Sequence, residues 1–115
     1  MIYSKEDVAK FLEQFKVKLD IYGVIFLDRD KNLDFLRMMG IMPSEREEIL
    51  KEIEVTDYVS TIPFAESLQM ADMWVFGKDV RGRETYIKIS IGKVNNKVIC
   101  ISFHIAEQPL KYAFK

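Results

Sequence analysis

Apolar and polar residues alternate between residues 72 and 104, and this alternation predicts three consecutive antiparallel β-strands. The apolar positions are Trp74, Phe76, Ile87, Ile89, Ile91, Ile99, Ile101 and Phe103. The polar or small positions between them are Tyr86, Lys88, Ser90, Cys100, Ser102 and His104. Because successive side chains point to opposite sides of a sheet, we expect one buried apolar face and one polar face.

The same pattern predicts the strand register. If the isoleucines of the second and third strands share a face, the numbers of directly opposed residues must add to an even number. This requires a loop with an odd number of residues, such as 94–96. Under that register Tyr86 faces His104 and Lys88 faces Ser102. The polar face therefore brings these four side chains together.

The first of the two hairpins has its turn at Arg81-Gly82. With that turn, Trp74 and Phe76 join the isoleucines on the apolar face. Val75 and Gly77 then lie on the same face as Tyr86.

Helical spacing dominates the chain before residue 54. Ser4 is a typical N-cap residue with Asp7 three positions later, so the first helix is expected to begin at Lys5. Its apolar stripe consists of Val8, Phe11, Leu12, Phe15 and Leu19. Residues 23–27 are apolar, and the sequence leaves open whether they add a strand to the sheet or form a buried connection.

Two further helices are expected between residues 30 and 53. Asp30 is predicted to cap a helix over residues 31–39 that ends at Gly40. Pro43 and Ser44 open the next helix, in which Ser44 and Glu47 form a capping box. The inner positions of the two helices are Leu33, Leu36, Met39, Ile49, Leu50 and Ile53.

Residues 56–69 have no regular pattern, and Pro63 interrupts them. They are interpreted either as a functional loop or as a segment with a short helix from Phe64. Tyr58 and Ser60 are candidate substrate-binding residues in this segment. Residues 105–115 are expected to cross back over the core as a C-terminal tail.

Composition indicates one domain over residues 1–115, with a mainly helical layer over 1–71, the sheet over 72–104 and the tail. The chain is 49% hydrophobic and 30% charged, which is typical of a soluble globular protein. No apolar run approaches the roughly 18 residues of a membrane helix, and the first ten residues are too polar for a signal peptide. We therefore expect a cytoplasmic protein with no membrane partner.

The sequence predicts no metal or other cofactor. A single cysteine and a single histidine cannot supply a zinc-ligand set. The acidic spacing from Asp28 to Asp34 resembles the start of a calcium loop. However, Leu33 stands where the loop needs glycine and Met39 stands where it needs a closing glutamate.

The net charge of −1 is unevenly divided along the chain. Residues 1–71 carry 9 Lys/Arg and 14 Asp/Glu, whereas residues 72–115 carry 8 Lys/Arg and 4 Asp/Glu. The sheet half is therefore basic, which favours a polyanionic partner.

The predicted polar face carries the groups that metal-free RNA cleavage needs. Histidine can take or give a proton near neutral pH, and lysine can stabilise negative charge on a phosphorane. Tyrosine can stack on a base or bind a phosphate. The 2′-hydroxyl of the RNA is the nucleophile. His104, Lys88 and Tyr86 are therefore candidate catalytic residues, with Ser102 as a substrate-binding residue beside them.

Residues 44–108 resemble the MqsR-like group of RNA-cleaving toxins within the RelE-like superfamily. The resemblance rests on a Thr-Asp-Tyr-x-Ser segment at residues 56–60, Trp74, the Tyr-x-Lys of residues 86–88 and the Ser-Phe-His of residues 102–104. It implies an α+β fold in which N-terminal helices pack on a small antiparallel sheet. It also implies endoribonuclease activity against mRNA and inhibition by a cognate antitoxin protein. It leaves open whether the ribosome is a further partner.

By position, Tyr86 and Lys88 match the Tyr-x-Lys motif of these toxins. His104 stands where the best-known members carry a lysine, and Val59 stands where they carry a basic residue, so the individual roles stay open. Lys78, Arg81 and Arg83 near the first turn are expected to hold the RNA backbone. The alternative is a non-catalytic protein-interaction module or an inactive descendant of the toxin fold.

Overall fold

A computed structural model describes residues 1–63 and 71–115. These residues form helix α1 (Lys5–Tyr22), strand β1 (Val24–Phe26), helix α2 (Asp30–Met39) and helix α3 (Pro43–Lys51). A 3₁₀ turn (Val55–Asp57), strand β2 (Tyr58–Ile62), strand β3 (Met73–Val80), strand β4 (Arg83–Ser90) and strand β5 (Val98–Ile105) follow. The expected helix from Phe64 lies outside the described residues.

The sheet has five strands in the order β1-β5-β4-β3-β2. The three strands expected between residues 72 and 104 form its centre, and their pairings with one another are antiparallel. The prediction of a purely antiparallel sheet is wrong, because residues 23–27 supply β1, which pairs parallel to β5. The mainly helical first half also supplies β2, so the fold is α+β with a mixed sheet.

The predicted register is confirmed over most of the sheet centre. Trp74 lies opposite Ile89, Tyr86 opposite His104 and Lys88 opposite Ser102. Beyond Lys88 the register shifts at a β-bulge, where Ile101 has no partner and Ile89 lies opposite Cys100. A bulge adds one residue to one strand and so reverses the alternation beyond it.

The bulge corrects the predicted apolar face. Val98 and Cys100 join the main core, and the expected Ile99 and Ile101 do not. The loop between β4 and β5 is also longer than the expected turn at residues 94–96, because β4 ends at Ser90 and β5 begins at Val98.

The core lies between α1 and one face of the sheet, which we call the helix face and define by Trp74, Phe76, Ile87 and Ile89. The predicted stripe of α1 is confirmed, since Val8, Phe11, Leu12, Phe15 and Leu19 are all buried. Phe11 stacks on Trp74 with ring centroids 4.2 Å apart. Ser4 caps the helix as expected, its hydroxyl accepting from the Asp7 backbone N–H.

The N-caps of helices α2 and α3 lie one and two residues earlier than predicted, respectively. Arg29 is the N-cap of α2, not Asp30, and Gly40 ends the helix in the left-handed conformation. Met42 is the N-cap of α3, and its backbone N–H donates to Glu45, so the expected Ser44–Glu47 box does not form. Proline is favoured at the first helical position because its φ is already helical, which places the start at Pro43.

The inner side of α2 also differs from the prediction. Asn32 and Phe35 are its buried residues, with Leu36 and Met39 partly buried against the core. Leu33 is not part of that core. No described helix is long and apolar enough to cross a lipid bilayer.

The C-terminal tail crosses the sheet face opposite α1, which we call the open face and define by Gly77, Glu84, Tyr86, Lys88 and His104. The Glu84 carboxylate accepts from the Leu110 backbone N–H at 3.0 Å and from the Tyr112 hydroxyl at 2.8 Å. The Ala113 N–H then donates to the backbone of Tyr58 in the edge strand β2. The tail therefore lies over part of the open face, whereas the sequence predicted that it would cross the core.

Candidate functional site

A cavity of about 840 Å³ lies on the open face, between α2, the sheet and the tail. Tyr86, Lys88, Ser102 and His104 form its sheet wall. The beginning of α2 and residues 107–111 form the other walls. The four side chains that the register placed together therefore do line one cavity.

The Tyr86 and His104 rings stack as a cross-strand pair, with centroids 5.4 Å apart and an interplanar angle of 17°. Nδ1 of His104 lies 3.0 Å from the Ile105 carbonyl oxygen. A carbonyl oxygen only accepts hydrogen bonds, so Nδ1 carries the proton in this contact. In the neutral ring Nε2 then carries the lone pair, which makes Nε2 the basic atom.

Lys88 is half-buried at the centre of the site. Burial lowers the pKa of its ammonium group, and the nearby Arg29 guanidinium lowers it further. Burial also raises the pKa of the Tyr86 hydroxyl, while Arg29 acts in the opposite direction. Arg29 is thus electrically coupled to both residues.

Arg29 is a site residue that the sequence did not reveal. It is the N-cap of α2, and its Nη1 lies 3.4 Å from Oγ of Ser102. Residues 30–32 of the first turn line the cavity, so the positive end of the helix dipole adds to the charge of Arg29 and Lys88. In residues 1–63 and 71–115 neither cation forms an ion pair with a carboxylate.

Asn32 holds this helix end against the sheet. Its Nδ2 donates to the carbonyl oxygens of Leu27, at 2.9 Å, and Ile101, at 3.0 Å. Its Oδ1 accepts from the Phe103 backbone N–H at 2.9 Å. The carboxamide thus forms the hydrogen bonds that the β5 backbone would otherwise lack beyond the end of β1. A sequence signal existed, because Asn32 shares the helical spacing of Phe35, Leu36 and Met39.

Two acidic residues moderate the positive charge of the cavity. Asp30 and Glu107 both line it, and Glu107 pairs with Lys31 at 2.6 Å. A hydrogen bond from Lys31 lowers the pKa of the Glu107 carboxyl, so this group is ionised at neutral pH.

The predicted contacts to the RNA backbone are not part of this cavity. Lys78 donates to Asp57 at 3.1 Å and to the Glu52 carbonyl, on the side of the helix face. Arg81 pairs with Glu45 at 2.9 Å and donates to the carbonyl oxygens of Met39, the last residue of α2, and Gly40, its C-cap. Arg83 is exposed at the tip of the hairpin. Lys78 and Arg81 therefore join elements of the fold.

The two candidates from residues 56–69 are also separate from the cavity. The Tyr58 ring is 0% exposed, and its hydroxyl lies 2.7 Å from Thr61 Oγ1. Ser60 in β2 lies opposite Val75 in β3 and does not line the cavity. Val59 is the residue of this segment that does.

Comparison of the chain with protein-family models, curated proteins and solved structures finds no match. The geometry of the open face therefore carries the functional argument.

Proposed function

We propose that the chain is a metal-independent endoribonuclease that cleaves mRNA, the toxin of an MqsR-like toxin–antitoxin pair. The observation that supports this most is the meeting of Tyr86, Lys88 and His104 with Arg29 in one cavity. The imidazole can act as a base and the phenol can donate a hydrogen bond. The two cations have no carboxylate partners in the described chain and can therefore bind a phosphodiester. The sequence resemblance points to the same chemistry.

His104 is the general base of the proposed reaction. Nε2 takes the proton of the ribose 2′-hydroxyl, and the 2′-oxygen attacks the adjacent phosphorus. The hydrogen bond from Nδ1 to the Ile105 carbonyl fixes the tautomer, and the stacked Tyr86 ring fixes the plane of the imidazole. The products are a 2′,3′-cyclic phosphate and a free 5′-hydroxyl.

Lys88 and Arg29 act on the phosphate. Arg29 binds the non-bridging oxygens, where the phosphorane gathers charge. The lowered pKa of the Lys88 ammonium makes it a stronger acid than an ordinary lysine, so it donates the proton to the departing 5′-oxygen.

The proposal includes the partners and the cell compartment. The substrate is mRNA, the inhibitor is a cognate antitoxin protein, the ribosome is a further candidate partner, and the protein acts in the cytoplasm. A RelE-like arrangement of the fold is part of the proposal. The described helices packed on one face of a mixed sheet are compatible with it.

The test is cleavage of a defined mRNA by the purified protein in EDTA, with and without ribosomes. We expect discrete cuts whose upstream fragments end in a cyclic phosphate. Expression without an antitoxin should also arrest growth. Intact RNA under both conditions, together with normal growth, would contradict the proposal.

A non-catalytic protein-interaction module is the second candidate, and one surface favours it. Val17, Ile21 and Tyr22 of α1 and Val94 of the β4–β5 loop are exposed and line a cleft of about 450 Å³. Exposed apolar side chains grouped in this way are typical of a protein contact. The growth assay separates the two candidates, because a binding module should not arrest cells.

A further inference from the structure

A second cavity, of about 290 Å³, lies on the other side of His104, between α2 and the end of β5. His104, Lys31 and Glu107 line both this cavity and the larger one. A ligand bound at the open face can therefore extend past the imidazole into the second cavity without leaving the surface of the protein.

The second cavity has an apolar lining. Phe35 and Met38 of α2 and Ile105 and Ala106 at the end of β5 supply it. Phe35 is fixed edge-on against Phe103, with ring centroids 5.6 Å apart, whereas Met38 is 60% exposed. Because Phe35 is only 1% exposed, Met38 supplies most of the accessible apolar surface, and its flexible, polarisable thioether can pack on a flat ring.

The polar residues Lys31, Asp34, His104 and Glu107 border this apolar surface. Lys31 and Glu107 form an exposed ion pair with 62% and 67% of their side chains accessible. Such pairs contribute little to stability, so either partner can exchange its contact for a ligand. The ammonium group donates and the carboxylate accepts hydrogen bonds, which are the two kinds of contact that the edge of a nucleobase offers.

We infer that the second cavity binds the nucleobase next to the cleaved phosphodiester and so sets the sequence preference of cleavage. This inference rests on the proposed function, because the phosphate in the first cavity brings the neighbouring base to the second. A free apolar ligand would not need the shared His104 or the ion pair at the rim.

The test uses three short oligonucleotides, each with one ribonucleotide, and therefore one cleavable bond, in a 2′-deoxy strand. One is complete, and the other two carry an abasic residue on the 5′ side or on the 3′ side of that bond. For the unmodified protein in EDTA, loss of the bound base should raise KM about tenfold, as expected for one base stacked on a protein surface.

The substitution Met38→Ala should reduce this abasic effect to less than about twofold, because the thioether is no longer present to pack on the ring. Met42→Ala is the matched control, since Met42 is similarly exposed, at 64%, and does not line the cavity. It should retain the full effect.

Two results would overturn the inference while leaving the proposed function intact. One is equal cleavage of the complete and abasic oligonucleotides, and the other is an undiminished abasic effect in Met38→Ala. If the protein cleaves none of the oligonucleotides and does not cleave the defined mRNA, the proposed function is overturned, and the inference with it.

Discussion

The open face has two halves that differ in what covers them, although β4 contributes to both. Glu84 belongs to the half under the tail, and its carboxylate accepts two hydrogen bonds from residues 110–112. Tyr86 and Lys88, the next residues on the same face, belong to the half that lines the cavity. The helix face is packed against the main core, so this division is a property of the open face alone.

Gly77 explains much of the difference. A Cβ atom at Gly77 would lie 2.3 Å from the Tyr112 hydroxyl oxygen and 2.6 Å from Leu110 Cδ1, so the tail packs directly on the bare backbone. In the cavity half, the sheet instead carries the stacked Tyr86 and His104 rings. The covered half thus packs against the tail, whereas Lys88 and Arg29 in the cavity half have no carboxylate partner among the described residues.

The largest effect should come from His104→Ala in the cavity half. If Nε2 is the general base, cleavage should slow by about 10² or more. The free energy of unfolding should change by less than about 1 kcal/mol, because His104 is only partly buried. Cleavage rates and urea unfolding of the same preparations measure both quantities. An unchanged rate would remove His104 from the mechanism.

Gly77→Ala should disrupt the packing of the tail on the covered half of the open face. The new methyl group must displace the tail, which should reduce the free energy of unfolding by about 1–3 kcal/mol. Tyr112→Ala removes the nearest clashing atom, so the double variant should lose less than the sum of the two single variants. Urea unfolding of the four proteins gives the coupling energy. Strictly additive losses would show that the tail does not pack on Gly77.

The smallest effect is a shift in the pH dependence of the cavity half. Since the pKa of Lys88 is lowered from its ordinary value of 10.5, cleavage should decline at a lower alkaline pH than an ordinary lysine would give. Lys88→Arg should remove this decline, because the guanidinium stays protonated. The rate profile from neutral to alkaline pH measures it, and identical alkaline limbs would argue against proton donation by Lys88.

Stability should move in the opposite direction over the same range. A lysine whose pKa is lowered in the folded protein binds fewer protons there than in the unfolded chain. Between the lowered pKa and 10.5, the Lys88 contribution to the free energy of unfolding therefore rises with pH. Opposite trends in rate and stability would separate loss of proton donation from unfolding.

The sequence predicted the centre of both the fold and the site for one physical reason. Strand side chains alternate with period two, so the register that buried Ile87 also placed Tyr86 opposite His104. The stripe of α1 was predictable in the same way from its 3.6-residue period. Local patterns were sufficient wherever one face of an element is buried against the core.

Features that depend on distant parts of the chain were not predictable. The bulge at Ile101 is accompanied by a hydrogen bond to Asn32, 69 positions away in sequence. Arg29 reaches Ser102 across a similar separation. Lys78 and Arg81 looked available for RNA, yet their partners Asp57 and Glu45 belong to other elements. Side-chain pairing of this kind has no period along the chain.

Asn32 also determines what hydrogen exchange would report at the end of β5. The Phe103 amide donates to a side chain of α2, whereas the usual acceptor in a sheet is a strand carbonyl. Its proton can exchange with solvent only when α2 moves away, even while β4 and β5 stay paired. The protection of this one amide therefore measures how firmly the helix end that carries Arg29 is seated beside His104.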